Sequence, residues 1–211
     1  VEAMQRLGDA EQGGDFYRLE FAPRRTTVDT ALFGYRGITV FASTNSYQET
    51  RMMNALGYTA NGVNSHQFRN FMPVSDSLLG IRYIALNSTV VQDSPLLVER
   101  ETVQLGNESY TIYENPYALP LGFFVQPTTK NWKYSYYNPV VTQNSLLKAM
   151  TGNEADVLET LPVVSENNSA EVGNTSSFRL NANSTAKLSA SMTEASHVYI
   201  YVDCRAAESI S

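Results

Sequence analysis

Pro73–Leu86 reads PVSDSLLGIRYIAL and joins two kinds of structure without a linker. Its first half has the marks of a short capped helix, with Asp76 near the helix start and Gly80 just past the last helical residue. Its second half, Ile81–Leu86, is apolar at most positions and reads as a strand buried within a sheet. A helix that closes on glycine and runs straight into a buried strand implies short helices interleaved with strands.

The same alternation extends in both directions. Downstream, Leu96–Leu105 and Ser109–Tyr113 flank Gly106-Asn107 as a hairpin. The second arm runs into Tyr113–Val125, YENPYALPLGFFV. There Pro116 and Pro120 fix φ and donate no hydrogen bond, so a rigid corner between strands is expected. The apolar run Leu121–Gln126 is expected to leave that corner as another strand, and Val140–Met150 is expected to form a helix ending at Gly152.

Upstream, Val1–Leu7 reads as the end of a helix stopped by Gly8, and Phe16–Phe21 alternates as a strand. Val28–Phe33 reads as a short helix closed by Gly34, and Ile38–Ala42 as a short strand. Ser46 followed three residues later by Glu49 is a capping-box pattern that starts a helix closed by Gly57, and Asn61–Asn70 reads as a polar loop. The fold class expected is α+β, an α/β layer with a mixed sheet and short helices, over residues 1–152.

Beyond residue 153 aromatics thin out while Asn, Ser, Thr, Ala and Glu dominate, so residues 153–211 read as a smaller β-rich unit. Its expected strands are Phe178–Ala182, Ala186–Met192 and Val198–Asp203. This unit is too short for a complete sandwich and reads either as truncated or as completing the first domain's sheet. Nine arginines and no lysine precede Val125, whereas all four lysines lie at 130 or later, which also separates the two halves.

Fifteen basic residues against twenty-one acidic ones give a net charge of −6, which argues against a nucleic-acid partner. One cysteine, Cys204, allows neither an internal disulfide nor a thiolate metal site, and His66 and His197 lack zinc-binding spacing. No cofactor and no metal are expected. The chain has no apolar run of about 18 residues to span a bilayer. It begins at Val1 without a signal pattern, so it is expected to be a piece of something longer.

Carboxylates beside turns, Asp29, Asp76 and Glu114, are the residues that paired acid–base chemistry would use, but nothing in the sequence places them together. In Trp132-Lys133-Tyr134-Ser135-Tyr136, a strand would put Trp132, Tyr134 and Tyr136 on one face. Such rings either stack on sugars or cover a core with their hydroxyls in water.

Five stretches together resemble the YfhO-like family of bacterial polytopic membrane proteins. They are FYRLE (Phe16–Glu20), LFGYRGITVFAST (Leu32–Thr44), PVSDSLLGIRYI (Pro73–Ile84), YENPYALPLGFFV (Tyr113–Val125) and NPVVTQNSLLKAMTG (Asn138–Gly152). The resemblance implies the extracytoplasmic domain of a multi-span membrane glycosyltransferase. Such enzymes are similar to those that add sugars from undecaprenyl-phosphate donors to cell-wall polymers such as lipoteichoic acid. Their catalytic acid is expected in a loop between transmembrane helices, outside this sequence, so the domain itself would be accessory and non-catalytic.

The implied partners are the transmembrane part of the same polypeptide and a cell-wall polymer or lipid-linked sugar. Asp76, Glu114 and Asn115 are the polar residues of these motifs to inspect. A domain at net −6 would meet a polyanion only through a local basic patch, for which Arg24, Arg25 and Arg36 are the candidates. A carbohydrate-binding module using Trp132, Tyr134 and Tyr136, or a ligand-free structural domain, remain the other readings.

Overall fold

The computed structural model describes residues 1–12, 16–90, 94–135, 138–161, 163–165, 169–171, 178–180, 187–192 and 198. The chain folds as two compact units, the first over Val1–Asp156 and the second over Val157–Ile200.

The first unit is built on helix α1 (Glu2–Gln12), strand β1 (Arg18–Ala22), α2 (Asp29–Phe33), β2 (Val40–Phe41), α3 (Tyr47–Ala55), β3 (Thr59–Ala60) and β4 (Ser65–Gln67). It continues through α4 (Pro73–Leu78), β5 (Ile81–Asn87), β6 (Val98–Leu105), β7 (Glu108–Glu114), a 3₁₀ turn at Pro127–Asn131 and α5 (Pro139–Thr151). A four-stranded mixed sheet runs in the order β1-β5-β7-β6, with β1 parallel to β5 and the remaining pairs antiparallel. A small antiparallel sheet, β2-β4-β3, stands beside it. This is the α+β arrangement that the alternation of PVSDSLLG and IRYIAL predicts.

Strand β5 is central because it is apolar on both faces. Ile84 and Leu86 enter a cluster with Met53, Leu56, Phe68 and Leu146, on the side of α3, α4 and α5. Tyr83 and Ala85 enter a second cluster with Met4, Tyr17, Leu19 and Ile112, on the side of α1. Alternation with period two splits the strand between two cores, and each fully buried large side chain contributes about 1.5–3 kcal/mol.

Three sequence expectations need correction. Helix α1 does not stop at Gly8 but runs to Gln12. A glycine costs a helix interior only about 1 kcal/mol, and contacts on both sides of it outweigh that. Met4 is buried, and the Tyr17 hydroxyl donates to Asp9 Oδ1 at 2.9 Å.

Asn61–Asn70 is not all loop, since β4 pairs there with β2 and β3. Asn61 makes the tight turn into it, its Oδ1 accepting the N–H groups of Val63, Asn64 and Ser65.

Leu121–Gln126 is not a strand, because both sides of β7 are already taken by β5 and β6. Its apolar composition suits a sheet, but strand preference is a matter of neighbours, and no described strand pairs with it.

In the second unit, β8 (Val163–Ser165) pairs antiparallel with β11 (Leu188–Ala190), and β9 (Ser169–Glu171) with β10 (Phe178–Leu180). β10 and β11 fall within two of the expected strands. The third, Val198–Asp203, lies outside the described residues apart from Val198.

Candidate functional site

Asp76, Glu114 and Asn115 lie where α4 turns into β5 and where β7 turns into the proline corner. Helix α4 has Pro73 in its first turn, where a missing N–H costs nothing. Asp76 sits one turn in and accepts the Met72 N–H at 2.8 Å, closing the helix start. It also accepts the Tyr58 hydroxyl at 2.5 Å.

Asp76 is fully buried, and burial pushes its carboxyl up to about 8, with the nearby Glu20 charge adding to the shift. Tyr58 is pushed well above its ordinary value by burial and by Asp76. A group that no solvent reaches cannot exchange a proton with a substrate in this conformation.

Glu114 ends β7 and is 3% exposed. Arg82 Nη2 from β5 lies 3.1 Å from its Oε1, and Arg100 Nε from β6 donates to Oε2 at 2.7 Å. Arg100 is the extra residue of a β-bulge between Glu99 and Glu101. The bulge re-aims one side chain across the sheet.

Asn115 follows and has no exposed surface. Its amide donates to Ile81 O at 3.1 Å and Ser77 Oγ at 3.2 Å, and its Oδ1 accepts the Tyr117 N–H at 3.1 Å. Its backbone N–H reaches Arg82 O at 2.7 Å, and Leu119 N–H reaches Ser77 O at 2.9 Å. The proline corner is therefore bolted to α4 and β5, and its polar side chains are occupied in holding it.

Glu20 is a residue that sequence reading passed over. It lies on β1, 1% exposed, and accepts the N–H groups of Ile38 and Thr39 and the Thr39 hydroxyl. Burial pushes it up to about 7 against those hydrogen bonds. The signal was present, since a glutamate between Leu19 and Phe21 in an apolar strand needs a buried acceptor role.

The three candidate arginines are not brought together. Arg24 Nε donates to Gln67 at 2.8 Å, and burial together with Arg69 holds its pKa below the usual guanidinium range. Arg25 pairs with Glu108 at 3.5 Å on the surface. Arg36 lies over the Phe16 ring at 5.4 Å, with Arg18 at 4.9 Å from the same ring.

Arg36 also lines an open depression of about 330 Å³ with Gln5, Asp9, Tyr17, Leu19, Gly34 and Tyr35. Tyr17 there is pushed up to about 12 by burial and by Asp9, and Tyr35 is raised by burial, so both hydroxyls remain protonated donors at neutral pH. Asp29 is buried at the start of α2, where its carboxylate accepts from Arg25 N, Thr26 N and Thr26 Oγ1. It is remote in role from the other two turn carboxylates.

The aromatic run does not form a strand. Trp132 and Tyr134 follow the 3₁₀ turn as irregular chain, their ring planes inclined by 47° with centroids 6.2 Å apart. Trp132 packs partly into the first core and donates to Ser145 Oγ at 3.0 Å, while Tyr134 is exposed. Tyr136 lies outside the described residues.

His66 is buried, with Nε2 4.0 Å from Glu49 and Nδ1 without a partner among the described residues. His197 and Cys204 lie outside them. No group of three or more His, Cys, Asp or Glu among the described residues could hold a metal ion. No described helix is long and apolar enough to cross a membrane.

A family model described as bacterial membrane protein YfhO matches residues 1–210. No curated protein and no solved structure matches the chain.

Proposed function

We propose, from the premise that the chain belongs to the YfhO family of bacterial membrane proteins, that it is an accessory domain on the extracytoplasmic face of a membrane glycosyltransferase. The parent protein would use an undecaprenyl-phosphate-linked sugar to decorate a cell-wall polymer such as lipoteichoic acid. The carboxyl that performs the transfer would then lie in the membrane part of the same polypeptide.

The observation that supports an accessory role is the fate of the motif residues. Asp76, Glu114 and Asn115 are buried, and each is held by structural hydrogen bonds or ion pairs. None presents a polar atom to a cleft, as a general acid or base must. The polymer would instead meet the depression around Arg36, where the guanidinium suits a phosphate group and the Asp9 carboxylate, paired with the Tyr17 hydroxyl, suits a sugar hydroxyl.

A stacking surface on the aromatic run would rest on Tyr134, because Trp132 is tied to Ser145 and the core. That makes polymer recognition by an aromatic platform the weaker reading of this geometry.

Two measurements test the proposal. In intact cells carrying the full-length parent, a cysteine placed at exposed Asn131 in a Cys204→Ser background should react with a membrane-impermeant maleimide. Reaction only after lysis overturns the placement. The purified 211-residue chain, given undecaprenyl-phosphate-linked sugar and lipoteichoic acid, should transfer no sugar. Transfer that disappears in Asp76→Asn or Glu114→Gln overturns the accessory role.

A further inference from the structure

The segment after the proline corner is held at both ends and bare in the middle. Leu119 is fixed to α4 through Ser77, and Gln126 N–H reaches Met150 O at 2.8 Å. Thr128 and Thr129 hydroxyls then donate to Ala149 O at 2.8 and 2.9 Å. Between these anchors Leu121, Phe123, Phe124 and Val125 are all exposed, Leu121 at 68% and Phe124 completely, and Tyr117 stands exposed beside the first anchor. Among the described residues this apolar run has no sheet partner and no place in either core cluster, and exposed patches of this kind mark an interaction surface.

The charge around it is equally uneven. From Asn115 to Asn153 the sequence has no aspartate or glutamate and three lysines, Lys130, Lys133 and Lys148. The stretch is therefore at +3 in a chain of net −6, and the remainder is at −9. Lys130 and Lys133 are exposed next to the apolar loop, whereas Lys148 pairs with Asp156 at 2.9 Å. Half-buried Trp132 lies between the two lysines in sequence, and exposed Tyr134 follows the second.

We infer that Leu121–Val125 is an insertion loop for an anionic lipid surface. The four apolar side chains would enter the boundary between headgroups and acyl chains, while Lys130 and Lys133 remain among the headgroup phosphates. A protruding loop is matched to a deformable medium, and an interfacial aromatic and lysine fringe beside it is the arrangement such a medium selects. The charge pattern favours one orientation: the acidic remainder of the chain is repelled by an anionic surface, whereas the acid-free stretch with its lysines is attracted to it. The inference uses the family reading only in placing a bilayer near the chain, and it stands whether or not the parent protein transfers sugars.

The test is co-flotation of the 211-residue chain with vesicles of phosphatidylethanolamine and phosphatidylglycerol, and with vesicles of phosphatidylcholine alone. The wild-type chain should float with the first and bind the second about tenfold less well. Leu121→Ser with Phe124→Ser should lower partitioning about tenfold or more, the equivalent of losing one large buried apolar side chain. Lys130→Glu with Lys133→Glu should remove the preference for phosphatidylglycerol. Leu32→Ser, at an equally exposed leucine on α2, should change nothing.

Circular dichroism of each variant checks that the fold is retained, which is expected since the altered side chains are exposed. Failure of the wild-type chain to float, or unchanged flotation of the Leu121/Phe124 variant, overturns the inference. So does self-association that disappears in that variant without vesicle binding, because a second copy would then be the occupant. Absence of sugar transfer by the wild-type parent protein, with vesicle binding intact, would count against the glycosyltransferase reading and leave this one standing.

Discussion

Arg100 Nε donates to Glu114 Oε2 at 2.7 Å across β6 and β7. The contact exists because the bulge at Arg100 shifts the register between Glu99 and Glu101. Arg82 holds the other oxygen at 3.1 Å, so one buried carboxylate is shared by two guanidinium groups from the two neighbouring strands. The arginine side chains are 21% and 36% exposed, against 5% for the glutamate, so the carboxylate is the group that depends on the pairing.

Removing both arginines should therefore cost more than removing the acid. Arg82→Met with Arg100→Met leaves a buried charge without a partner and should destabilise by about 3–5 kcal/mol. Glu114→Gln keeps one hydrogen-bond acceptor, lets the two arginines turn to water, and should cost about 1–2 kcal/mol. Urea unfolding of the three proteins gives the comparison. Equal midpoints for the two variants would show that the ion pairs do not order the costs.

Asn115→Ala should unfasten the proline corner. It leaves Ile81 O, Ser77 Oγ and Tyr117 N–H without their partner, and a lost buried hydrogen-bonding group costs about 1–3 kcal/mol. Amide exchange should show Tyr117 and Leu119 opening more readily than the centre of β5. Uniform loss of protection across the sheet would contradict a local fastening role.

Two glycines at the same φ of +65° separate backbone strain from crowding. Beyond Gly106 nothing lies within 4 Å of an added Cβ, whereas at Gly80 the Cβ would meet Leu119 O at 2.8 Å. Gly106→Ala should cost about 1 kcal/mol for the left-handed backbone alone. Gly80→Ala adds displacement of the corner and should cost at least about 2 kcal/mol in all. Thermal melts of the two variants check the order.

Burial raises Asp76 from 3.8 to about 8 and Glu20 from 4.5 to about 7. In the unfolded chain both are ionised above about pH 5, while the folded chain keeps them protonated, so folding binds protons in that window. Stability from these groups is present in full below the unfolded values and declines as pH rises through 7 to 8. His66, lowered by burial, acts in the opposite sense, but only below about its ordinary value of 6.5. Between pH 6.5 and 9, Asp76→Asn should therefore flatten the decline in urea midpoint by an amount equivalent to about 1–2 kcal/mol. An unchanged slope would remove Asp76 as its source.

Local signals in the chain were legible. Ser46 Oγ accepts the Glu49 N–H at 3.4 Å, Gly34 and Gly152 close α2 and α5 in the left-handed conformation, and the hairpin turns at Gly106-Asn107. Each depends on residues three or four apart, so the sequence carries the whole interaction. The same holds for β5, whose uninterrupted apolar character requires a central place in a sheet.

What the tertiary structure alone decided concerns partners distant in sequence. Helix α1 passes Gly8 because Tyr17 and the second core hold both halves. Leu121–Val125 is apolar enough for a strand and becomes an exposed loop, since it follows β7, whose two sides are held by β5 and β6, and pairs with neither edge of the sheet. Asp76, Glu114 and Asn115 read as polar residues at turns and become buried fastenings, since only the assembled fold brings Tyr58, Arg100 and Ile81 to them. Short-range hydrogen bonding and hydrophobic period are written in the order of residues, whereas burial and charge pairing depend on which distant strand arrives alongside.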